Sequence, residues 1–300
     1  LAMQVALAFG RHLSRQGLDD VVGMLPIADR ARIAALVADP QVGTVSFTGS
    51  TAAGRSLAVE AARHGKGFVG ELGGTNPFVI LADADLDRAV SDLVTRKLKA
   101  AGQACSAPNL VLVEGAVADD AADRLDAALG RAQAGPSEQS GIALGPVRSA
   151  AAADRLSRQA AALEATGARR LGHGIAPPRS DTPYLAQPTA HVVKTPEPFL
   201  DREMFGPLMG VVPVADREAL AAILRANRHP LVLYVYGADA EDIAELTSGL
   251  RYGSIGINTT AIQSPDAPTG GFAEAGIGRE GGPWGLREFL TTINLRKEGP

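Results

Sequence analysis

All the sulfur nucleophilicity of this chain is concentrated at one position, because Cys105 is its single cysteine. It stands in GQACSAPN (102–109), between a Gly-Gln turn and a Ser-Ala-Pro-Asn run. A thiol in such a junction can be reached by a substrate and by backbone N–H donors, which a mid-helix thiol cannot. A lone cysteine is most often a small buried hydrophobe, so its setting, not its count, raises the possibility of chemistry. A nucleophile also needs its thiolate stabilised. Upstream, ELGGTNP (71–77) ends a short β-rich run on Glu71, followed by two glycines that leave space beside the carboxylate. On its own this is a solvent-facing edge acid. Facing a gap beside a thiol, it is what a general base for water requires.

Three further segments have residue types suited to binding. FTGSTAAG (47–54) runs a strand into Gly49 and Ser50, where a helix opens. Unpaired amides and the helix dipole there favour a phosphate, with an ordinary N-cap on Ser50 or Thr51 as the plainer account. In REMFGP (202–207), Glu203 is suited to accept from ribose hydroxyls and Phe205 to pack on a flat ring; the hexapeptide reads equally well as a structured turn. GGFAEAGIGREGGPWGLREF (270–289) is dense in glycine, which implies close backbone packing or an entrance loop and specifies no reaction.

The elements that must position these residues follow from patterning. Strands are expected over 43–49, 67–72, 77–81, 109–114 and near 209–214, 232–236 and 254–258. Helices are expected over 50–64, 85–100, 117–131, 149–166, 216–227 and 239–249. The alternation indicates α/β layering on a largely parallel sheet. Residues 172–183 read as a Gly/Pro-rich surface connection, and 289–297 as a terminal strand that pairs with an edge of this chain or with another subunit. In the first segment Met3, Ala6, Leu7 and Leu13 recur at helical spacing up to Gly17, without the basic start or cleavage site of a signal peptide. It reads as the inside of a helix of a longer parent.

Composition narrows the function classes. Three hundred residues, 46% of them hydrophobic, suffice for about two domains with a sizeable core. A net charge of −4 argues against nucleic-acid or anionic-membrane partners. One cysteine excludes a disulfide framework, and His12, His64, His173, His191 and His229 are too dispersed to suggest a metal site. No apolar run approaches the roughly 18 residues of a membrane span.

Taken in order, FTGST, ELGG-x-N-P, GQ-x-C, E-x-FGP and GREGG resemble the aldehyde dehydrogenase superfamily from Leu1 to about Leu295. RKLKAAGQAC (96–105) and IGINTTAI (255–262) are most similar to its succinate-semialdehyde dehydrogenase branch. The resemblance implies a partial Rossmann-type nucleotide-binding domain (1–73, rejoined by 274–290), an α/β catalytic domain (74–273) and an oligomerisation strand or tail (291–300). It implies oxidation of an aldehyde to the acid with NAD or NADP: a semialdehyde such as succinate semialdehyde, or a less charged aldehyde, since Leu110 stands where that branch has the arginine that grips a distal carboxylate. Cys105 would form the thiohemiacetal and thioester, and Glu71 would activate water. Gly49 and Ser50 would meet the pyrophosphate, Glu203 the nicotinamide ribose, and Leu72 and Phe205 the ring. A cytoplasmic homo-oligomer without a metal is the associated expectation. The family's oxyanion asparagine and ribose-binding lysine fall upstream of the matched region, so residues 1–300 alone are expected to be weak or inactive. An acylating, coenzyme A-dependent relative and a non-catalytic member are the alternatives; Glu71 argues against the first and the Cys105–Glu71 pair against the second.

Overall fold

The computed structural model describes residues 2–19, 21–172 and 184–299. Its helices are α1 (Ala2–Ser14), α2 (Arg30–Ala38), α3 (Thr51–Arg63), α4 (Leu86–Leu98), α5 (Ala118–Gly130), α6 (Ala150–Ala165), α7 (Glu197–Leu200), α8 (Arg217–Ala226), α9 (Ala240–Thr247) and α10 (Gly282–Arg287). Its strands are β1 (Thr44–Thr48), β2 (Gly67–Glu71), β3 (Pro77–Ile80), β4 (Leu110–Glu114), β5 (Arg169–Leu171), β6 (Thr189–Val192), β7 (Leu208–Val214), β8 (Val232–Tyr236), β9 (Ser254–Ile257) and β10 (Gly276–Ile277).

The strands form two sheets. β1 and β2 run parallel, and β10 returns antiparallel to β2, pairing Gly276 with Glu71. The larger sheet has the order β5-β6-β7-β4-β3-β8-β9 and is parallel except for β5. Its central strands are apolar throughout, as in PFVI and LVLV, because helices cover both faces. Alternation along each strand divides the core: Val79, Leu110, Leu112 and Leu233 face one layer, whereas Phe78, Val111, Val113 and Tyr234 face the other.

This topology brings the chemistry-bearing segments together. Residues 71–76 lead into β3, 102–109 into β4 and 202–207 into β7, and these strands are neighbours in the order β7-β4-β3. The three loops therefore lie side by side along the amino ends of adjacent strands. The approach to Cys105 is a tight reversal after α4, in which Ala100, Ala101 and Gly102 all have positive φ (51°, 55° and 68°). Gly102 is required there twice over: by its φ, and because a Cβ would run into the Gly206 carbonyl.

Most expected elements form within a residue or two of their anticipated bounds. α2, β5, β6, α7 and β10 have no counterpart in the sequence reading; four of these five span only two to four residues. α2 is announced only by Asp29, whose carboxylate caps Ala31 N–H at 2.9 Å. The expectation of a strand at 289–297 is corrected for the single chain, in which 291–299 have no regular structure. Phe289, Leu290, Ile293 and Leu295 are exposed, and among the described residues no strand pairs with them. Residues 173–183, including His173 and most of the expected surface connection, lie outside the described residues. Among the described residues no helix is long and apolar enough to cross a membrane.

Two glycines with positive φ separate crowding from backbone strain. Gly167 (φ 84°) has open space around its Cβ position, whereas Gly102 does not. In urea unfolding, Gly167→Ala should cost about 1 kcal/mol and Gly102→Ala about 3 kcal/mol.

Candidate active site

Asn76 joins the site segments. Fully buried and with φ 42°, it donates through Nδ2 to the carbonyls of Cys105 (2.6 Å) and Ala107 (2.9 Å). Its Oδ1 accepts from Val232 N–H at 3.1 Å. Asn109 adds a second tie, its Nδ2 donating to the Gly74 carbonyl at 3.1 Å. Arg96 donates to Ser106 Oγ and to Tyr234 OH, and the Tyr234 hydroxyl donates to the Ser106 carbonyl at 2.9 Å. The thiol is thus presented on a backbone fixed on both sides, and Cys105 itself is half-buried.

Glu71 ends β2, with its carbonyl accepting from Gly49 N–H at 3.1 Å. Its side chain is 5% exposed, and Oε1 is buried with no hydrogen-bond partner. Gly270 (φ 146°) makes room for that oxygen: a Cβ there would lie 2.8 Å from Oε1 and 3.2 Å from Arg279 Cδ. Burial, and next the Glu280 charge, push the Glu71 carboxyl up to about 7 against the pull of Arg279. Arg279 is held by the carbonyls of Gly271 and Gly278 and lies 4.2 Å over the Phe272 ring. The Cys105 thiol is also raised, by burial first and then by the charges of Glu71 and Glu203; Arg96 and a hydrogen bond with Ser106 oppose this. The Glu71 charge therefore bears on the Cys105 thiol.

Glu203 lies over the two glycines. A Cβ on Gly73 would come 2.5 Å from its Oε2. Burial raises it to about 7, opposed by Lys97 and Arg155. Phe205 is half-buried, and its carbonyl accepts from Arg155 Nη2 at 2.9 Å. Leu72 is buried against Gly54 in the first turn of α3. Gly49 and Ser50 are exposed at that helix start, where Ser50 Oγ accepts from Ala53 N–H at 3.4 Å. Gly49, Ser50 and Leu72 thus line up at one end of the site, with Gly73, Gly74, Glu203 and Cys105 adjoining.

Sequence reasoning passed over Lys97, Asn76, Asn109 and Arg96. Lys97 carried a usable signal: Val90, Leu93 and Lys97 lie on the buried stripe of α4, where a charge is out of place. Among the described residues, no group of three or more His, Cys, Asp or Glu side chains is arranged to hold a metal.

Residues 2–294 match the aldehyde dehydrogenase family, and the chain belongs to that family. It is 33% identical over 258 residues to succinate-semialdehyde dehydrogenase of Paenarthrobacter nicotinovorans, a match covering 86% of this chain and 57% of that protein. Against 4-(hydroxymethyl)benzenesulfonate dehydrogenase of Comamonas testosteroni, identity is 36% over 267 residues, covering 86% and 53%. A crystal structure described as an E. coli NADP dependent enzyme superposes with a TM-score of 0.83 at 32% identity, covering 88% of this chain and 55% of that one. The chain spans about half the length of the curated relatives it matches.

The effect of the acid on the thiol is measurable. Glu71→Gln removes a like charge, lowers the thiol pKa and should speed iodoacetamide alkylation of Cys105 about threefold at mildly alkaline pH. An unchanged rate would show that the two groups do not face each other.

Proposed function

We propose that this chain carries the catalytic chemistry of an NAD(P)-dependent aldehyde dehydrogenase, converting a small aldehyde to its carboxylic acid. The observation that supports this most directly is the buried, unpartnered Glu71 Oε1 within electrostatic reach of a half-buried Cys105. Cys105, as thiolate, adds to the aldehyde carbon and forms a thiohemiacetal. NAD(P)+, when bound, supplies the two-electron acceptor that turns this adduct into a thioester. Glu71 takes a proton from water as the water oxygen attacks the thioester carbon. The C–S bond then breaks, the acid leaves and the sulfur is restored.

The residues fit such a cofactor. α3 is a 13-residue helix with an exposed start and no acidic side chain in its first turn, so amides and dipole at Gly49 and Ser50 favour a pyrophosphate. Glu203 would accept from ribose hydroxyls, and Leu72 and Phe205 would border the nicotinamide ring. The names of both relatives above point to substrates with an acidic group, which makes succinate semialdehyde the first aldehyde to try. Exposed Phe289, Leu290, Ile293 and Leu295 support a homo-oligomer, since such side chains ordinarily find cover. Because the chain covers about half of its relatives, residues 1–300 alone should turn over weakly or not at all.

In the complete protein that carries this chain, Cys105→Ala should abolish NAD(P)H formation. Glu71→Gln should leave one burst of NAD(P)H and lower the steady-state rate about 10²–10⁴-fold. A general base must be deprotonated, so with Glu71 raised to about 7 the wild-type rate should fall about tenfold per pH unit below that value. A steady state untouched by Glu71→Gln would overturn the assignment. The ratio of kcat/KM for succinate semialdehyde to that for a neutral aldehyde of equal length should exceed one.

A further inference from the structure

Lys97 is fully buried at the end of α4, one turn before the reversal that presents Cys105. Its Nζ donates to Asn109 Oδ1 at 2.8 Å. Asn109 passes the contact on, its Nδ2 donating to the Gly74 carbonyl beside Gly73, where a Cβ would lie 2.5 Å from Glu203 Oε2. An ammonium has three protons to place, and one neutral amide is a poor exchange for water. A charge in such a position is tolerated when an opposite charge meets it, and Glu203 is the acid whose field reaches Lys97. Of the other charged or titratable groups near Glu203, Arg155 from α6 is occupied with Gln159 Oε1 and the Phe205 carbonyl, and Cys105 precedes β4.

We propose that Lys97 is a positioning residue for the cofactor: through Asn109, Gly74 and its own charge, it keeps Glu203 ionised and aimed to accept from a nucleotide's ribose hydroxyls. The inference rests on the placement of Glu203 at the cofactor proposed above. An ionised carboxylate offers acceptors on both oxygens to a diol, whereas a protonated one turns one oxygen into a competing donor. Burial raises Glu203 and lowers Lys97, each to about 7, and each charge opposes the shift of the other. Without the ammonium, Glu203 therefore needs a higher pH to ionise.

The test is the dissociation constant of NAD(P)+, without aldehyde, in the complete protein. Lys97→Met removes charge and donor, whereas Lys97→Gln keeps a donor for Asn109 and removes the charge. Both should weaken binding about tenfold near neutral pH, and the loss should shrink as the pH is raised. A loss that is independent of pH and repaired by Lys97→Gln would identify a structural brace and overturn the proposal. Glu203→Gln should weaken binding by itself, and adding Lys97→Met to it should cost little more. Weakened binding in Glu203→Gln beside unchanged binding in Lys97→Met overturns this inference alone. Unchanged binding in Glu203→Gln removes Glu203 from the cofactor site and overturns both readings. Should Lys97→Met fail to fold, the double variant decides: recovery with Glu203→Gln supports the pairing, and failure of the double while Glu203→Gln folds overturns it.

Discussion

The fixed backbone around Cys105 depends on the hydrogen bonds of the Asn76 side chain, the longest of them to the Gly74 carbonyl at 3.5 Å. Both Nδ2 donors and the Oδ1 acceptor are used, on Cys105, Ala107 and Val232, so a single amide joins the starts of β3, β4 and β8. In a buried setting each of these bonds is made at full strength or missed at full cost. The arrangement has little room to slide. A hydroxyl or a shorter amide-free side chain lacks the reach and the donor count to serve all three partners. The left-handed backbone of Asn76 fits this role, since asparagine tolerates that region better than most residues.

On that frame the chain gathers charges that water would ordinarily separate. Glu71 and Glu203 both bear on the Cys105 thiol, and both are driven by burial toward neutrality near physiological pH. The cations that temper them come from different elements: Arg279 beside Glu71, Lys97 and Arg155 beside Glu203, and Arg96 beside the thiol. No strong exposed ion pair is needed to explain the site, and such pairs contribute little in any case. Desolvation sets each group's proton affinity, and the placement of the nearest charge adjusts it. Glu71, Glu203 and Lys97 are thereby brought to about 7, where acid–base chemistry in water-poor clefts operates.

Much of the α/β alternation was legible because its determinants are local. The apolar runs at 77–80 and 110–113 announce covered parallel strands, and Asp85, Ser149, Asp216 and Asp239 announce helix starts by capping them. The short elements were not legible: β5 is Arg-Arg-Leu, and β10 is two residues in a glycine-rich stretch, too little for any period to register. The segments holding Glu71, Cys105 and Glu203 were readable as motifs, and strand order explains their proximity. The charges that modulate them were not readable. Which cation faces which acid depends on contacts across long stretches of chain, as with Arg279 against Glu71. The missed buried stripe position of Lys97 is the exception, since a helical period carries that information.

β10 has a consequence for how the protein is made. Gly276 and Ile277 close the small sheet against β2, Leu72 N–H bonds the Ala275 carbonyl, and Thr51 and Arg55 of α3 both reach Glu274. The large sheet is thus inserted between the two parts of the small one. During synthesis from the amino end, Glu71 must wait for every strand of the large sheet to emerge before Arg279 and Glu280 can join it. A nascent chain stalled before that point would hold its thiol loop with the acid still unset. Completion of the polypeptide is, in this sense, the last step in tuning its proton chemistry.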